Sequence, residues 1–398
     1  MENPILAMIP SGYNAADAKL YSILPVDGSG DFTVSVDADA TRINKEGLIE
    51  GVALNQARLT YGPLNPECPS LLLEPTVTNF LNYSEDFTQS NWNKSGVTIT
   101  SNATTSPSGN NNGSLMTATT TNGTLSDFNE WATTTRTASL FVKKHTSSLI
   151  KIINGSTGEN ITFDLDIGEV TTSSATFEGS ITSLANNWYR INAQHNTTSG
   201  TASLGIRIPI SGQSVYIWGA QIEDTIYETS YVPTTNTSVT RTNDICKDAG
   251  NAALFNVSKL SLFIDVNNFK TNTGSFSYIV LTDGQNSPIN MIRLDYTQNS
   301  ILIRSYDNGT IKLSYNITSV VPNQRNKLLL TFDNNEAKTY FNGVLKNTST
   351  SITIPSGLDS LSFTNRTESG GYFQGEVHDA RVYDRVLTET EAIKLTTI

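Results

Sequence analysis

The sequence is poor in cysteine and in charge. Its 398 residues include two cysteines, Cys68 and Cys246, and each stands alone in the sequence. Neither a disulfide framework nor a paired-cysteine metal site is therefore available. Charged residues make up 16% of the chain, and 37 acidic against 26 basic residues give a net charge of -11. Because such a surface repels phosphate groups, the composition argues against nucleic acid as a partner.

Long apolar runs are also missing. No run approaches the roughly 18 residues that a membrane-spanning helix needs, so we expect no membrane insertion. The first residues carry no basic region, and Pro4 and Pro10 interrupt their apolar stretch. We therefore expect no signal peptide and a chain that is made in a cytoplasm.

Short strands separated by polar turns fill most of the chain. Residues 79–235 contain strands of five to eight residues, and 138–143 and 215–222 alternate between apolar and polar side chains, which predicts a β-sandwich. Residues 251–398 repeat this pattern and include two Asn-Gly turn signals, which predicts a second, larger sandwich. Thr388 followed by Glu391 predicts one short C-terminal helix. The sequence thus predicts an all-β fold of two jelly-roll sandwiches.

Two stretches fit neither sandwich. Residues 1–78 are rich in Gly, Pro and Asp and show no long period, which predicts an extended segment of turns and short strands. Such a segment buries little apolar area alone, so we expect it to order against trimer partners or a docking surface. Residues 236–250 are polar and without period, which predicts a linker.

Several stretches resemble known families. The opening, including the stretches 25–32, 69–75 and 82–87, resembles the N-termini of tailed-phage and prophage structural proteins. The middle region, with 163–168, 187–190 and 218–223, is similar to carbohydrate-binding-module-like sandwiches of phage fibres and spikes. The last region, with 337–343 and 376–393, resembles the laminin-G or concanavalin A-like lectin superfamily.

These resemblances imply a fibre or spike subunit on the head or tail of a phage particle. They imply a homotrimer that docks to other virion proteins through residues 1–78 and binds host-surface or environmental glycans. The expected location is the virion surface, after synthesis in the host cytoplasm.

Sugar binding directs attention to exposed aromatic residues, because pyranose rings stack on aromatic planes. Trp92 and Trp131 lie in polar surroundings and are candidate sugar platforms. Tyr372 follows Gly370-Gly371 in a predicted loop and is a third candidate. Trp188 and Trp218 lie in apolar strand patterns and are predicted core residues.

Signals for catalysis and metal binding are weak. Glycoside hydrolysis needs two carboxyl groups on one face, and Glu376, Asp379 and Asp384 do not have that spacing. The histidines, His145, His195 and His378, have no nucleophile motif beside them. We expect no catalytic residue and no obligatory cofactor. Asp164, Asp166 and Glu169 offer oxygens to Ca²⁺, but they also suit a solvent-facing turn at Gly168.

Two alternatives remain open. The first is a purely structural decoration protein, for which Trp92, Trp131 and Tyr372 should all be buried. The second is a polysaccharide depolymerase, which requires two carboxylates converging in a groove.

Overall fold

A computed structural model describes almost the whole chain. The described residues are 3–10, 15–16, 18–62, 65–127, 135–155, 157–195, 204–269, 276–285, 288–318, 320–333, 335–365 and 371–398.

Nine strands lie within the first fifth of the chain. They are β1 (Leu6–Met8), β2 (Ala15–Ala16), β3 (Lys19–Leu20), β4 (Phe32–Ser35), β5 (Thr41–Ile43), β6 (Ile49–Gly51), β7 (Leu59–Gly62), β8 (Asn65–Leu73) and β9 (Val77–Asn79).

The middle region contains twelve strands and one 3₁₀ turn at Ala185–Asn187. The strands are β10 (Trp92–Ser95), β11 (Val97–Thr104), β12 (Gly113–Ala118), β13 (Gly123–Asp127), β14 (Arg136–Lys144), β15 (Leu149–Asn154), β16 (Asn160–Asp164), β17 (Glu169–Ser173), β18 (Phe177–Ser183), β19 (Tyr189–His195), β20 (Leu204–Ile208) and β21 (Ser214–Glu223).

The C-terminal region contains twelve further strands and two helices. In chain order they are β22 (Val239–Arg241), β23 (Ile245–Lys247), α1 (Ala252–Phe255), β24 (Leu260–Asn268), β25 (Ser277–Thr282), β26 (Met291–Tyr296), β27 (Ser300–Asp307), β28 (Thr310–Thr318), β29 (Arg325–Asp333), β30 (Glu336–Phe341), β31 (Val344–Thr350), β32 (Ser360–Ser362), β33 (Gly375–Tyr383) and α2 (Glu389–Thr396).

The middle region is a β-sandwich, as the sequence predicted. One sheet has the strand order β10-β13-β20-β15-β16-β17, and the other has the order β11-β12-β21-β14-β19-β18. Successive side chains of a strand point to opposite faces, so every second residue faces the partner sheet. Leu140 and Ile191 from one sheet and Ile152 and Phe163 from the other lie in the shared core. The polar residues between them face outward.

The C-terminal sandwich includes strands from the beginning of the chain. Its larger sheet has the order β31-β30-β29-β24-β33-β8-β7, and β1 also pairs with β33. The second sheet has the order β28-β27-β26-β25-β32. Leu6, Phe32 and Leu71 are buried in the same core as Leu262 and Ile292. The described part of residues 1–78 thus orders largely against the rest of its own chain, which differs from the prediction that it needs a partner.

The predicted linker is also structured. Within residues 236–250, β22 pairs with β9 and β23 pairs with β4. Arg241, Asp244 and Cys246 are buried there. Polar sequence without a period is therefore not a loop here, because the stretch is held by pairing with the N-terminal strands.

Local signals in the C-terminal region are confirmed. Asn308 and Gly309 join β27 to β28, and Asn342 and Gly343 join β30 to β31, each residue with a positive φ. Helix α2 begins after Thr388, whose side chain accepts from the Glu391 amide in a complete capping box. Among the described helices, none is long and apolar enough to cross a lipid bilayer.

Candidate functional site

The outer face of the middle sandwich carries polar side chains at the edge formed by β18 and β19. Ile191 and Ala193 of β19 point into the core, so Asn192 and Gln194 point outward. They line a cleft with a volume of about 210 Å³. We call it the polar cleft, and its lining residues are Glu178, Gly179, Ser180, Asn192, Gln194, Ile226, Tyr227, Glu228 and Asn323.

Asn192 organises the floor of the polar cleft. Its Nδ2 donates to Ser180 Oγ at 2.6 Å and to Glu228 Oε1 at 2.8 Å. Its Oδ1 accepts from the Ser180 amide at 3.2 Å. These bonds fix the orientation of the Asn192 amide and place hydroxyl, amide and carboxyl groups side by side. Such groups are the usual partners of sugar hydroxyls.

Burial raises the pKa of two carboxyl groups near the cleft, Glu228 and Glu223. Burial raises the pKa of Glu228, although the nearby charge of Arg190 opposes this shift. Burial also raises the pKa of Glu223, to about 7. Glu223 accepts hydrogen bonds from the backbone N–H and the hydroxyl of Thr229. The segment that carries Tyr227 and Glu228 is thereby fastened to β21.

The far wall of the polar cleft touches the C-terminal sandwich. Tyr227 donates from its hydroxyl to Gln374 Oε1 at 3.2 Å, and its ring lies 5.4 Å from that of Phe269. Asn323 is held by its backbone N–H, which donates to the backbone carbonyl of Asn268 at 2.8 Å. The cleft therefore lies where the two sandwiches meet, and their relative placement sets its width.

A second cavity adjoins the polar cleft at Glu228. It has a volume of about 190 Å³ and is lined by residues of the N-terminal segment and both sandwiches, among them Ile43, Phe141, Leu184, Phe269 and Glu376. Beside it, Trp188 and Trp218 pack with Phe141, Tyr231 and Ile49. Both tryptophans are buried, as predicted, but they lie between the middle sheet and the N-terminal segment.

A buried ionic cluster fastens this junction. Arg58 donates to Glu74 Oε2 at 2.7 Å and also binds Asp244. Arg241 Nη1 lies 3.0 Å from the same Glu74 oxygen. Ser230 donates to Glu74 from its amide and its hydroxyl, at 2.8 and 2.7 Å. The cluster holds two positive and two negative groups, and it joins the N-terminal segment to both ends of residues 230–244.

The predicted sugar platforms have different surroundings. Trp92 is 1% exposed, its indole donates to Tyr83 O at 3.1 Å, and its ring packs on Phe87 at 5.0 Å. The prediction of an exposed platform at Trp92 is therefore wrong, because its polar neighbours in sequence point away from a buried ring. Trp131 lies outside the described residues. Tyr372 is half-buried and pairs with Thr364 in an isolated bridge, so it stays a candidate.

The candidate calcium ligands hold a turn together. Asp164 Oδ1 accepts from the Asp166 amide at 2.8 Å, and Asp166 forms an ion pair with Lys144. These contacts match the alternative interpretation of a solvent-facing turn. Within the described ranges, no group of three or more His, Cys, Asp or Glu side chains has a spacing suited to a metal ion.

The acids considered for hydrolysis have separate environments. Glu376 lines the second cavity, Asp379 is bound by Arg381 at 2.5 and 2.9 Å, and Asp384 is exposed. Asp265, which lies opposite Asp379 in register, is held by both donors of Arg325. Asp265 and Asp379, each bound by an arginine, thus form a charge network on the larger C-terminal sheet.

Comparison with known proteins supports a lectin-like fold for part of the chain. Residues 228–392 match the family described as the concanavalin A-like lectin/glucanases superfamily. No curated protein matches the chain.

Several solved structures are similar to part of the chain. The Ruminococcus gnavus sialidase CBM40 bound to α2,3-sialyllactose is 18% identical over 37% of this chain and 86% of its own, with a TM-score of 0.31. Domain 4 of the Geobacillus stearothermophilus arabinanase AbnA, in complex with arabinotriose, is 18% identical over 39% and 73%, with a TM-score of 0.31. The Streptococcus pneumoniae sialidase NanB is 12% identical over 37% and 25%, with a TM-score of 0.32.

The family match begins at Glu228, inside the polar cleft, and not at residue 251, where the sequence analysis placed the domain start. It ends within helix α2. Residues 228–392, about two fifths of the chain, are therefore similar to the concanavalin A-like lectin/glucanases superfamily.

Proposed function

We propose that this chain binds glycans without cleaving them and that the polar cleft is the binding site. The observation that carries the proposal is the set of amide, hydroxyl and carboxyl groups that Asn192 holds in one concave surface. Sugar hydroxyls donate and accept at once, so they need both kinds of partner close together. The volume of about 210 Å³ is below the roughly 300 Å³ of the smallest drug-sized pockets, which favours one sugar ring over an oligosaccharide.

A glycan array probed with the full-length chain tests this proposal. We expect the wild-type chain to bind to a defined set of the immobilised glycans. Ser180→Trp places an indole in the cleft and should weaken binding by about tenfold or more, since a filled site loses the ligand's hydrogen bonds. Ser101→Trp is the matched control, because Ser101 is an exposed strand residue at the opposite edge of the same sheet. Equal binding by both variants would contradict the assignment of the cleft.

We further propose that the chain is a fibre or spike subunit of a phage virion and that it works as a homotrimer. The sequence resemblance of residues 1–87 to phage structural proteins supports this proposal. Three copies would multiply a weak single-site affinity through avidity. Light scattering on the purified chain should give a mass near three times 43.2 kDa. A mass near that of one chain would contradict the proposed homotrimer.

A purely structural subunit is the second candidate function. Burial of Trp92 favours it, since that residue was a predicted platform and serves as packing. In that case no glycan on the array would retain the chain, while the chain would still assemble on particles.

A further inference from the structure

The outer face of the smaller C-terminal sheet carries two arginines side by side. Arg293 of β26 and Arg304 of β27 are directly opposite each other in register, so their side chains lie on the same face. The exposed fractions of the two side chains are 20% and 22%. In a chain of net charge -11, two adjacent partly exposed guanidinium groups are a local exception.

One buried carboxylate holds both arginines in place. Asp295 is fully buried on the same face, two residues along β26. Arg293 Nε lies 2.7 Å from Asp295 Oδ1, and both Arg293 and Arg304 donate from Nη2 to Asp295 Oδ2. Two positive groups share one negative partner, which leaves one positive charge in excess. The arrangement also orients the arginines before any ligand arrives, which lowers the entropy cost of binding.

Aromatic rings border the pair. The Arg293 guanidinium lies 5.3 Å from the ring of Tyr278 and 5.7 Å from that of Tyr306. Phe276, 40% exposed, stacks against Tyr278 with ring centres 6.0 Å apart. Gly371 lies close against Tyr278, where a side chain would meet the ring at 2.5 Å. The face thus combines a positive centre with flat apolar surfaces.

We propose that this arginine face is a second ligand site and that it binds an acidic sugar, a pyranose that carries a carboxylate or a sulfate. Arginine pairs recognise such anions through parallel N–H donors. Tyr278, Phe276 and Tyr306 supply the planes on which the C–H face of the ring stacks. The site is separate from the polar cleft, so a test of one site does not decide the other.

Calorimetric titration of the full-length chain with glucuronic acid tests the site. Ser314→Glu is the informative variant, because Ser314 is exposed and lies opposite Arg304 in register. The new carboxylate would compete for the excess positive charge and leave the Asp295 contacts in place. Thr318→Glu is the control, since it adds the same charge to the same strand about 13 Å away.

We expect glucuronic acid to bind the wild-type chain and the Thr318→Glu variant alike, and to bind Ser314→Glu about tenfold more weakly. Glucose and acetate, which lack either the anion or the ring, should each bind more weakly than glucuronic acid. Absence of glucuronic acid binding, or acetate binding as well as the acid sugar does, would overturn the proposal. Equal binding by Ser314→Glu would place the ligand elsewhere. The Ser180→Trp variant should leave this titration unchanged.

Discussion

At the scale of residues, two buried glutamates show how neighbours decide a charge state. Burial by itself raises the pKa of a carboxyl group, because the charged form loses its water. Although burial acts on Glu74 in this direction, the charges of Arg58 and Arg241 hold its pKa at about 2. Glu223 has no such pair of cations bonded to it, and its pKa rises to about 7. At pH 7, similar burial therefore gives an ionised group at Glu74 and a group that is about half protonated at Glu223.

Glu223 should make the protein less stable as the pH rises. Its pKa is raised in the folded state, so the folded chain binds an extra proton between about pH 4.5 and pH 7. The free energy of unfolding therefore falls across that window, by up to about 3 kcal/mol at one pKa unit per 1.4 kcal/mol.

Glu223→Gln should remove this dependence. Urea unfolding should give similar stabilities for variant and wild type at pH 5, with the variant more stable at pH 8. Parallel pH profiles for the two proteins would show that Glu223 titrates normally.

Glu74 should have the opposite pH dependence. Its lowered pKa stabilises the fold fully above about pH 4.5, and this stabilisation is lost as the pH falls towards 2. Glu74→Gln leaves Arg58 and Arg241 with Asp244 as the one remaining carboxylate of the cluster. Because one buried positive charge is then uncompensated, the free energy of unfolding should fall by about 3 to 5 kcal/mol at pH 7. Denaturant unfolding measures this loss. Glu67→Gln, at an exposed position, should change it little. A small effect at Glu74 would mean that the cluster does not fasten the junction.

At the scale of elements, the hairpin between β27 and β28 depends on a left-handed turn. Gly309 has φ +71°, and no atom lies near the place where a Cβ would be. Gly309→Ala should therefore cost about 1 kcal/mol from backbone strain alone. Gly51→Ala is the control, because that site is equally open and its φ is not positive. Equal melting temperatures for the two variants would contradict the turn assignment.

Many elements follow from local sequence signals. The strands β26, β30 and β33 lie in the region where short strands were predicted, and each alternates apolar and polar residues between turns. Strands such as β17 and β18 lack this signal. Both are edge strands with mostly polar side chains, so the apolar period that marks a strand is absent.

The polar cleft could not be predicted because it is assembled from distant parts of the chain. Ser180 and Asn192 come from neighbouring strands, and Glu228 lies in a segment fastened to β21. Asn323 reaches the site only when the sandwiches pack together. The outward alternation of Asn192 and Gln194 in β19 was a usable signal. The sequence instead indicated Trp92 as a sugar platform, because polar neighbours in sequence do not reveal whether a ring is buried.

At the scale of the whole molecule, the beginning of the chain is part of the C-terminal sandwich. Strands β1 and β8 both pair with β33. We therefore expect the amides of β1 and β8 to exchange with deuterium about as slowly as those of β24, because all three lie in one cooperative sheet. Hydrogen exchange of the full-length chain measures this directly. Fast exchange confined to β1 and β8 would mean that the segment detaches in solution and needs a partner after all.

The central claim is that the polar cleft binds a glycan. Hydrogen exchange of the chain, with and without a glycan to which it binds on the array, tests this claim most directly. The measurement locates the bound ligand on the chain. We predict slower exchange in residues 177–183, 189–195 and 226–228, where the cleft-lining groups lie. Slower exchange only elsewhere, or no change at saturating glycan, would contradict the account.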